Sequence, residues 1–184
     1  MNKLHTTVPP VFLLRKLQRN KSLISCMEVS NYMSRADLLS CNVETREITE
    51  YEFKSTINGF RSDKLKVKFT SGHKIPNFFY YVLPISVYDE NKHELMRSNA
   101  GIMHYLCRVA DASYKRIKIT TVKEAPKELL NVQDFDTARE NIIATLNFRY
   151  YSMCEQSLVR DLPLSHRDAY NLAYESSNLK DILK

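Results

Sequence analysis

Apolar positions recur at helical spacing near both ends of the chain and gather into short strand-like runs between them. Over residues 11–32 the positions Leu13, Leu14, Leu17, Leu23, Ile24 and Met27 read as helix, with a break near Asn20. Arg35 to Asn42 and Glu47 to Lys54 read as two short strands, and Val43-Glu44-Thr45-Arg46 as the four-residue loop of a hairpin. Residues 56–70 read as a basic helix ended by Gly72. The run Asn77-Phe78-Phe79-Tyr80-Tyr81-Val82-Leu83 is apolar on both faces and stopped by Pro84, which suits a central strand covered on both sides. A charged loop or short helix spans about 89–99, and strands follow over 101–109 and 116–122. The longest helical pattern is 134–158, with Ile142, Ile143, Leu146, Tyr150 and Met153 on one stripe. A short helix is expected beyond Pro163. This order predicts an α/β fold, a mixed sheet with helices on its faces. We expect one domain over 1–160, with 161–184 as a C-terminal helical extension packed on it.

Composition narrows the functional classes. The chain has 184 residues, 43% hydrophobic and 26% charged, enough to bury one core. A net charge of +6 and a pI near 9.1 favour a polyanionic partner, an argument about association rather than fold. Cys26, Cys41, Cys107 and Cys154 are scattered without a C-x-x-C pair, so they read as buried thiols rather than zinc ligands. Val11 to Leu14 is too short for a secretory core, and the apolar run 78–87 is broken by Pro84 and cannot span a bilayer. A cytoplasmic location is expected. Glycine occurs only at 59, 72 and 101, so neither a P-loop nor a Rossmann fingerprint can be built. No G-x-S-x-G or H-E-x-x-H is present.

Candidate chemistry centres on Asp37, Glu52 and Lys54. On a strand, Glu52 and Lys54 share a face while Phe53 points into the opposite layer. If Asn42 pairs with Glu47 across the loop, Asp37 falls opposite Glu52, with Cβ atoms about 4.5–5.5 Å apart. Carboxylates that close repel unless a cation sits between them, and a hard oxygen-ligated ion such as Mg²⁺ answers that need. The Phe53 carbonyl is a further oxygen donor, and Lys54 is placed to orient or deprotonate an attacking water. The plainer alternative is an exposed cross-strand ion pair, and a register slip of one residue would send Asp37 to the other face.

The residues also resemble the PD-(D/E)xK nuclease superfamily, in the branch of MmcB-like DNA-repair proteins and related phage nucleases. Arg35-Ala36-Asp37-Leu38-Leu39 is similar to its R-A-D-[VIL]-[IL] strand, and Glu52-Phe53-Lys54-Ser55 to its E-[VI]-K-[SI] strand. Phe60-Arg61-Ser62-Asp63 resembles the D-F-x-x-D-x-K helix entry, with Gly59 in place of the first Asp and Leu65 in place of Lys. The run from Pro76 to Pro84 looks like P-N-x-F-Y-[FY]-V-[VL]-P, and Ala100-Gly101-Ile102 and Val122-Lys123-Glu124-Ala125-Pro126 fit A-G-[LI] and V-K-K-A-P. Asn147-Phe148-Arg149-Tyr150-Tyr151 is similar to a late F-R-Y-W motif. The match covers roughly 25–152.

The resemblance implies a restriction-endonuclease-like αβββαβ core and a Mg²⁺-dependent deoxyribonuclease, with Mn²⁺ as substitute. It implies a phage setting for DNA processing or repair, in the host cytoplasm. Asp37, Glu52 and the Phe53 carbonyl are then metal ligands, Lys54 the catalytic cation, and Glu28 an auxiliary acid from the first helix; a solvated helix acid is the other reading of Glu28. Arg61, Lys64, Lys66 and Lys68 are the expected phosphate contacts, against the simpler reading of a solvated face. The aromatic residues at 78–81 are assigned to the core rather than to base stacking. The expected partner is DNA, with no membrane and no nucleotide cofactor, and a homodimer is left open. The superfamily also holds inactive members, so a non-catalytic module binding DNA or a protein is the alternative.

Overall fold

The computed structural model describes residues 4–31, 34–64, 74–106, 117–129 and 132–160. The order is α1 (Leu4–Leu17), β1 (Leu23–Asn31), β2 (Ser34–Asn42), β3 (Glu47–Phe53), α2 (Ile57–Lys64), β4 (Phe78–Pro84), α3 (Ile85–Met96), β5 (Gly101–Leu106), β6 (Lys118–Lys123) and α4 (Phe135–Arg160). The six strands lie side by side in sequence order. β1, β2 and β3 are mutually antiparallel, β3, β4 and β5 are parallel, and β6 returns antiparallel to β5. The fold is α/β with a mixed sheet, and its first six elements run αβββαβ.

Parallel neighbours require crossovers, and α2 and α3 supply them for β3 to β4 and β4 to β5. Because both step the same way across the sheet with the same hand, they cover the same face. There Phe60 of α2 and Tyr88 and Leu95 of α3 bury Phe79, Tyr81, Leu83 and Ile102. On the opposite face Leu13 of α1, with Phe12, Leu14 and Leu17, packs in the cluster of Leu38, Val82, Met103 and Tyr105. The strand expected at 77–83 is β4, fully buried on both faces at Val82 and Leu83 and half-buried at Phe78 and Tyr80. Two residues brace its surroundings. The Asn77 side chain accepts from Ile48 N–H at 2.8 Å and donates to the Glu128 carbonyl at 3.3 Å, joining β3 to the segment after β6. Gly101 leaves the space that the Tyr80 ring occupies.

The helix expected over 11–32 is a correction: it is α1 followed by β1. Asn20 turns the chain, its side chain accepting from Ser22 N–H at 3.0 Å and its carbonyl from Leu23 N–H at 3.1 Å. Beyond it the period is two. Ile24 and Cys26 face Cys41 and Leu39 across the β1–β2 ladder, while Ser25 faces Ser40. Apolar residues on both faces of this strand produced a spacing that mimics a helix. Asp89 to Met96, read as loop or short helix, belongs to the longer α3. The hairpin loop at 43–46 is as expected, with Arg46 in the left-handed region at φ 57°. The expected helix beyond Lys64, its end at Gly72, the ends of the two later strands and the segment 161–184 lie outside the described residues.

The chain divides into two compact units, Met1–Ile142 and Ile143–Lys184, with the boundary inside α4. In the first unit Phe135, Ala138 and Ile142 of α4 are buried. In the second, Ile143 and Leu146 are half-buried and Phe148 and Tyr151 exposed. Cys26 and Cys41 are buried thiols, and burial pushes Cys41 up to about 12. Among the described residues no helix is long and apolar enough to cross a membrane.

Candidate active site

The β2–β3 register is the one expected from the hairpin. Asn42 pairs with Glu47, and the ladder continues through Leu39↔Glu50 to Leu38↔Tyr51. The backbone pairing stops there, and the same register carried one step further sets Asp37 opposite Glu52. The Phe53 N–H, which the ladder would otherwise use, donates to Asp37 Oδ2 at 2.8 Å. On the other side the β1–β2 ladder passes from Met27↔Leu38 to Val29↔Ala36 without a Glu28–Asp37 pair. Glu28 leaves the ladder because its φ is 54°, a left-handed conformation unusual for a strand residue. Asp37 thus sits in the sheet at a point that both ladders skip.

β3 alternates strictly, with Ile48, Glu50 and Glu52 buried and the residues between them half-buried. Glu52 therefore lies on the face covered by α2 and α3. Lys54 reaches back along this face and its Nζ lies 2.7 Å from Glu52 Oε1. The same ammonium lies 3.2 Å from Oδ1 of Asp63, a fully buried acid on α2. Tyr81, from β4, donates its hydroxyl to Asp63 Oδ2 at 3.2 Å. Glu50, Glu52 and Asp63 all act on the Tyr81 hydroxyl, and burial first, then Asp63, raise its pKa far above the ordinary value. Burial opposes the Lys54 charge, but the hydrogen bond and charge of Glu52, then Asp63, outweigh it and raise the lysine pKa. Lys54 is consequently a cation here: it can orient water and offset phosphate charge, and the expected role in removing a proton does not suit it.

Sequence reasoning gave no role to Asp63, Glu50 or Tyr81. Glu50 was accessible from period-two spacing with Glu52 and Lys54. Asp63 had a signal as the second Asp of the D-F-x-x-D-x-K resemblance, three residues after Phe60. Tyr81 arrives from another strand and carries no local sign.

The remaining expected residues are placed differently. Glu28 is on β1 rather than on a helix, and its carboxylate meets Arg35 at 2.6 Å on the exposed side. Arg61 is held by Glu94 of α3, with Nη2–Oε2 at 2.8 Å and Nε–Oε2 at 3.1 Å. Lys64 ends α2, and Lys66 and Lys68 lie outside the described residues.

The donor set suits a hard divalent cation. Asp37 and Glu52 are carboxylates. In an extended residue the carbonyl projects to the same side as the N–H, so the Phe53 carbonyl faces β2 and Asp37. Among the described residues no three acidic, His or Cys side chains form a metal-holding group. Mg²⁺ does not require one, since it commonly keeps several waters and takes one or two carboxylates.

No family model matches the chain, and no curated protein matches it. Among solved structures it is similar to a protein of unknown function from Silicibacter pomeroyi, with 18% identity over 85% of this chain and 91% of that one, at a TM-score of 0.49.

Proposed function

We propose that the chain is a Mg²⁺-dependent nuclease that hydrolyses DNA phosphodiester bonds, with Mn²⁺ as a substitute ion. The observation that supports this most is that Glu52 and Lys54 pair on either side of Phe53, whose own N–H donates to Asp37. Asp37 and Glu52, with the Phe53 carbonyl, would hold the ion. When bound, a divalent ion supplies neutralisation of phosphate charge and acidifies water. Lys54 holds its ammonium beside Glu52, where it orients the attacking water and stabilises negative charge on the phosphate. Asp37 fixes the Phe53 peptide and so the position of Lys54 that follows it. Arg61, Lys64, Lys66 and Lys68 are the proposed phosphate contacts, Arg61 by exchanging Glu94 for the backbone.

A second reading is a catalytically inactive nuclease-fold module that binds DNA or a protein. It is favoured by Lys54 itself, whose ammonium already balances Glu52 and Asp63 without any ion. Incubation of purified protein with Mg²⁺ or Mn²⁺ and linear, nicked and single-stranded DNA separates the two. Cleavage that disappears in the near-isosteric Asp37→Asn and Glu52→Gln variants, both verified as folded, supports the enzyme. Undiminished cleavage in both variants removes these residues from the mechanism, and no cleavage of any DNA form favours the binding module.

A further inference from the structure

The sheet face opposite the acid cluster carries a concavity of about 310 Å³. That is near the lower end of small-ligand pockets, about 300–1,000 Å³. Its floor is aromatic. Tyr51 and Tyr80 are register partners on β3 and β4, and their rings stack with centroids 5.6 Å apart and planes 17° apart. Phe78 extends this floor along β4. The Tyr80 ring lies down over Gly101, where an added Cβ would come within 2.4 Å of Tyr80 Cδ1. Its hydroxyl donates to Glu124 Oε2 at 2.6 Å, which fixes the ring's tilt. Thr49, Thr121 and Glu124 supply the polar lining. The aromatic run on β4 thus serves two faces: Phe79 and Tyr81 are core, while Phe78 and Tyr80 line this pocket.

We propose that this pocket binds a nucleobase carrying an exocyclic amino group, as cytosine, adenine and guanine do. A flat apolar floor matches the π-face of a base, and such stacking contributes about 1–3 kcal/mol per base. An ionised carboxylate only accepts hydrogen bonds, so Glu124 calls for a donor on the base edge. An amino group offers two N–H where the uracil imide offers one, as with cytosine N4 and acidic side chains. The same charge repels phosphate, which leaves the sugar and phosphate directed outward. The threonine hydroxyls both donate and accept and so suit the ring nitrogens and carbonyl of the base edge. The base belongs either to a free nucleotide or to a single strand. No residue of this pocket belongs to the acid cluster, so the inference stands apart from the nuclease reading.

Calorimetric titration of the full chain with cytidine, adenosine and uridine, and with short oligo-dC and oligo-dT strands, tests it. Cytidine and adenosine are expected to bind at least about tenfold tighter than uridine, the discrimination of one good base-edge contact. Glu124 is exposed, so Glu124→Lys should keep the melting temperature while weakening cytidine at least about tenfold. Glu124→Gln, whose amide also donates, should narrow the gap between cytidine and uridine. Binding of oligo-dC over oligo-dT without nucleoside binding, abolished by Glu124→Lys, identifies a base within a strand. Equal affinity for cytidine and uridine, cytidine binding unchanged in Glu124→Lys, or binding of neither nucleosides nor strands overturns the proposal.

Discussion

Lys54 shows how one side chain can hold a local structure together. Its ammonium answers Glu52 and Asp63, two carboxylates that are almost wholly enclosed. Removing a single partner from a buried ion pair costs about 3–5 kcal/mol, because the remaining charge stays out of water without its counter-ion. Lys54→Met keeps the apolar stem and deletes the charge, so urea unfolding should show a loss of about that size. A loss below about 1 kcal/mol would mean that the cluster is hydrated and the pair behaves as a surface one. Gly101 sets a different limit, a steric one. A methyl group there meets the Tyr80 ring at 2.4 Å and the Ala125 backbone nitrogen at 2.7 Å. The ring can tilt but the backbone cannot, so Gly101→Ala should destabilise by about 1–3 kcal/mol in the same assay.

At the scale of elements, the site lies where the β2–β3 ladder ends. Glu28 within β1 has a left-handed backbone, and the Asp37 carboxylate accepts from the Phe53 N–H. The other end of β3 is pinned by Asn77, whose amide serves Ile48 and the Glu128 carbonyl at once. Asn77→Ala leaves a buried N–H and a carbonyl to find water, at a cost of about 1–3 kcal/mol. Amide hydrogen exchange should report this as faster exchange at Ile48, with little change at Phe53. Equal acceleration at both would show that β3 opens as one unit. The start of α4 is tied to the hairpin loop as well. Arg46 meets Asp136 at 2.8 Å and lies over the Phe135 ring, while Asp134 caps the helix through the Thr137 N–H at 2.8 Å.

At the scale of the molecule, the acid cluster faces the crossover helices and the aromatic pocket faces the other way. Both use β3 and β4, one through even and the other through odd positions of β3. An ion held only by the folded state stabilises it by mass action, by about 2.7 kcal/mol at a hundredfold excess over Kd. Under the proposed function, Mn²⁺ should therefore raise the melting temperature, and Asp37→Ala should abolish the rise. A rise that persists in Asp37→Ala would place the ion elsewhere.

The sequence by itself determined the local parts: the β2–β3 hairpin, its register and the central strand. Each rests on spacing of two along one strand or on residues close in the chain, where backbone geometry decides which side chains meet. It misled at β1, because apolar residues on both faces of a strand leave no clean period to read. Only the tertiary structure decided that Asp63 and Tyr81 join Lys54 and that Phe78 and Tyr80 line a pocket, Tyr80 while packing against the core. Those placements depend on crossover helices and strand order, which bring residues from different elements onto one face. Local spacing carries no information about that.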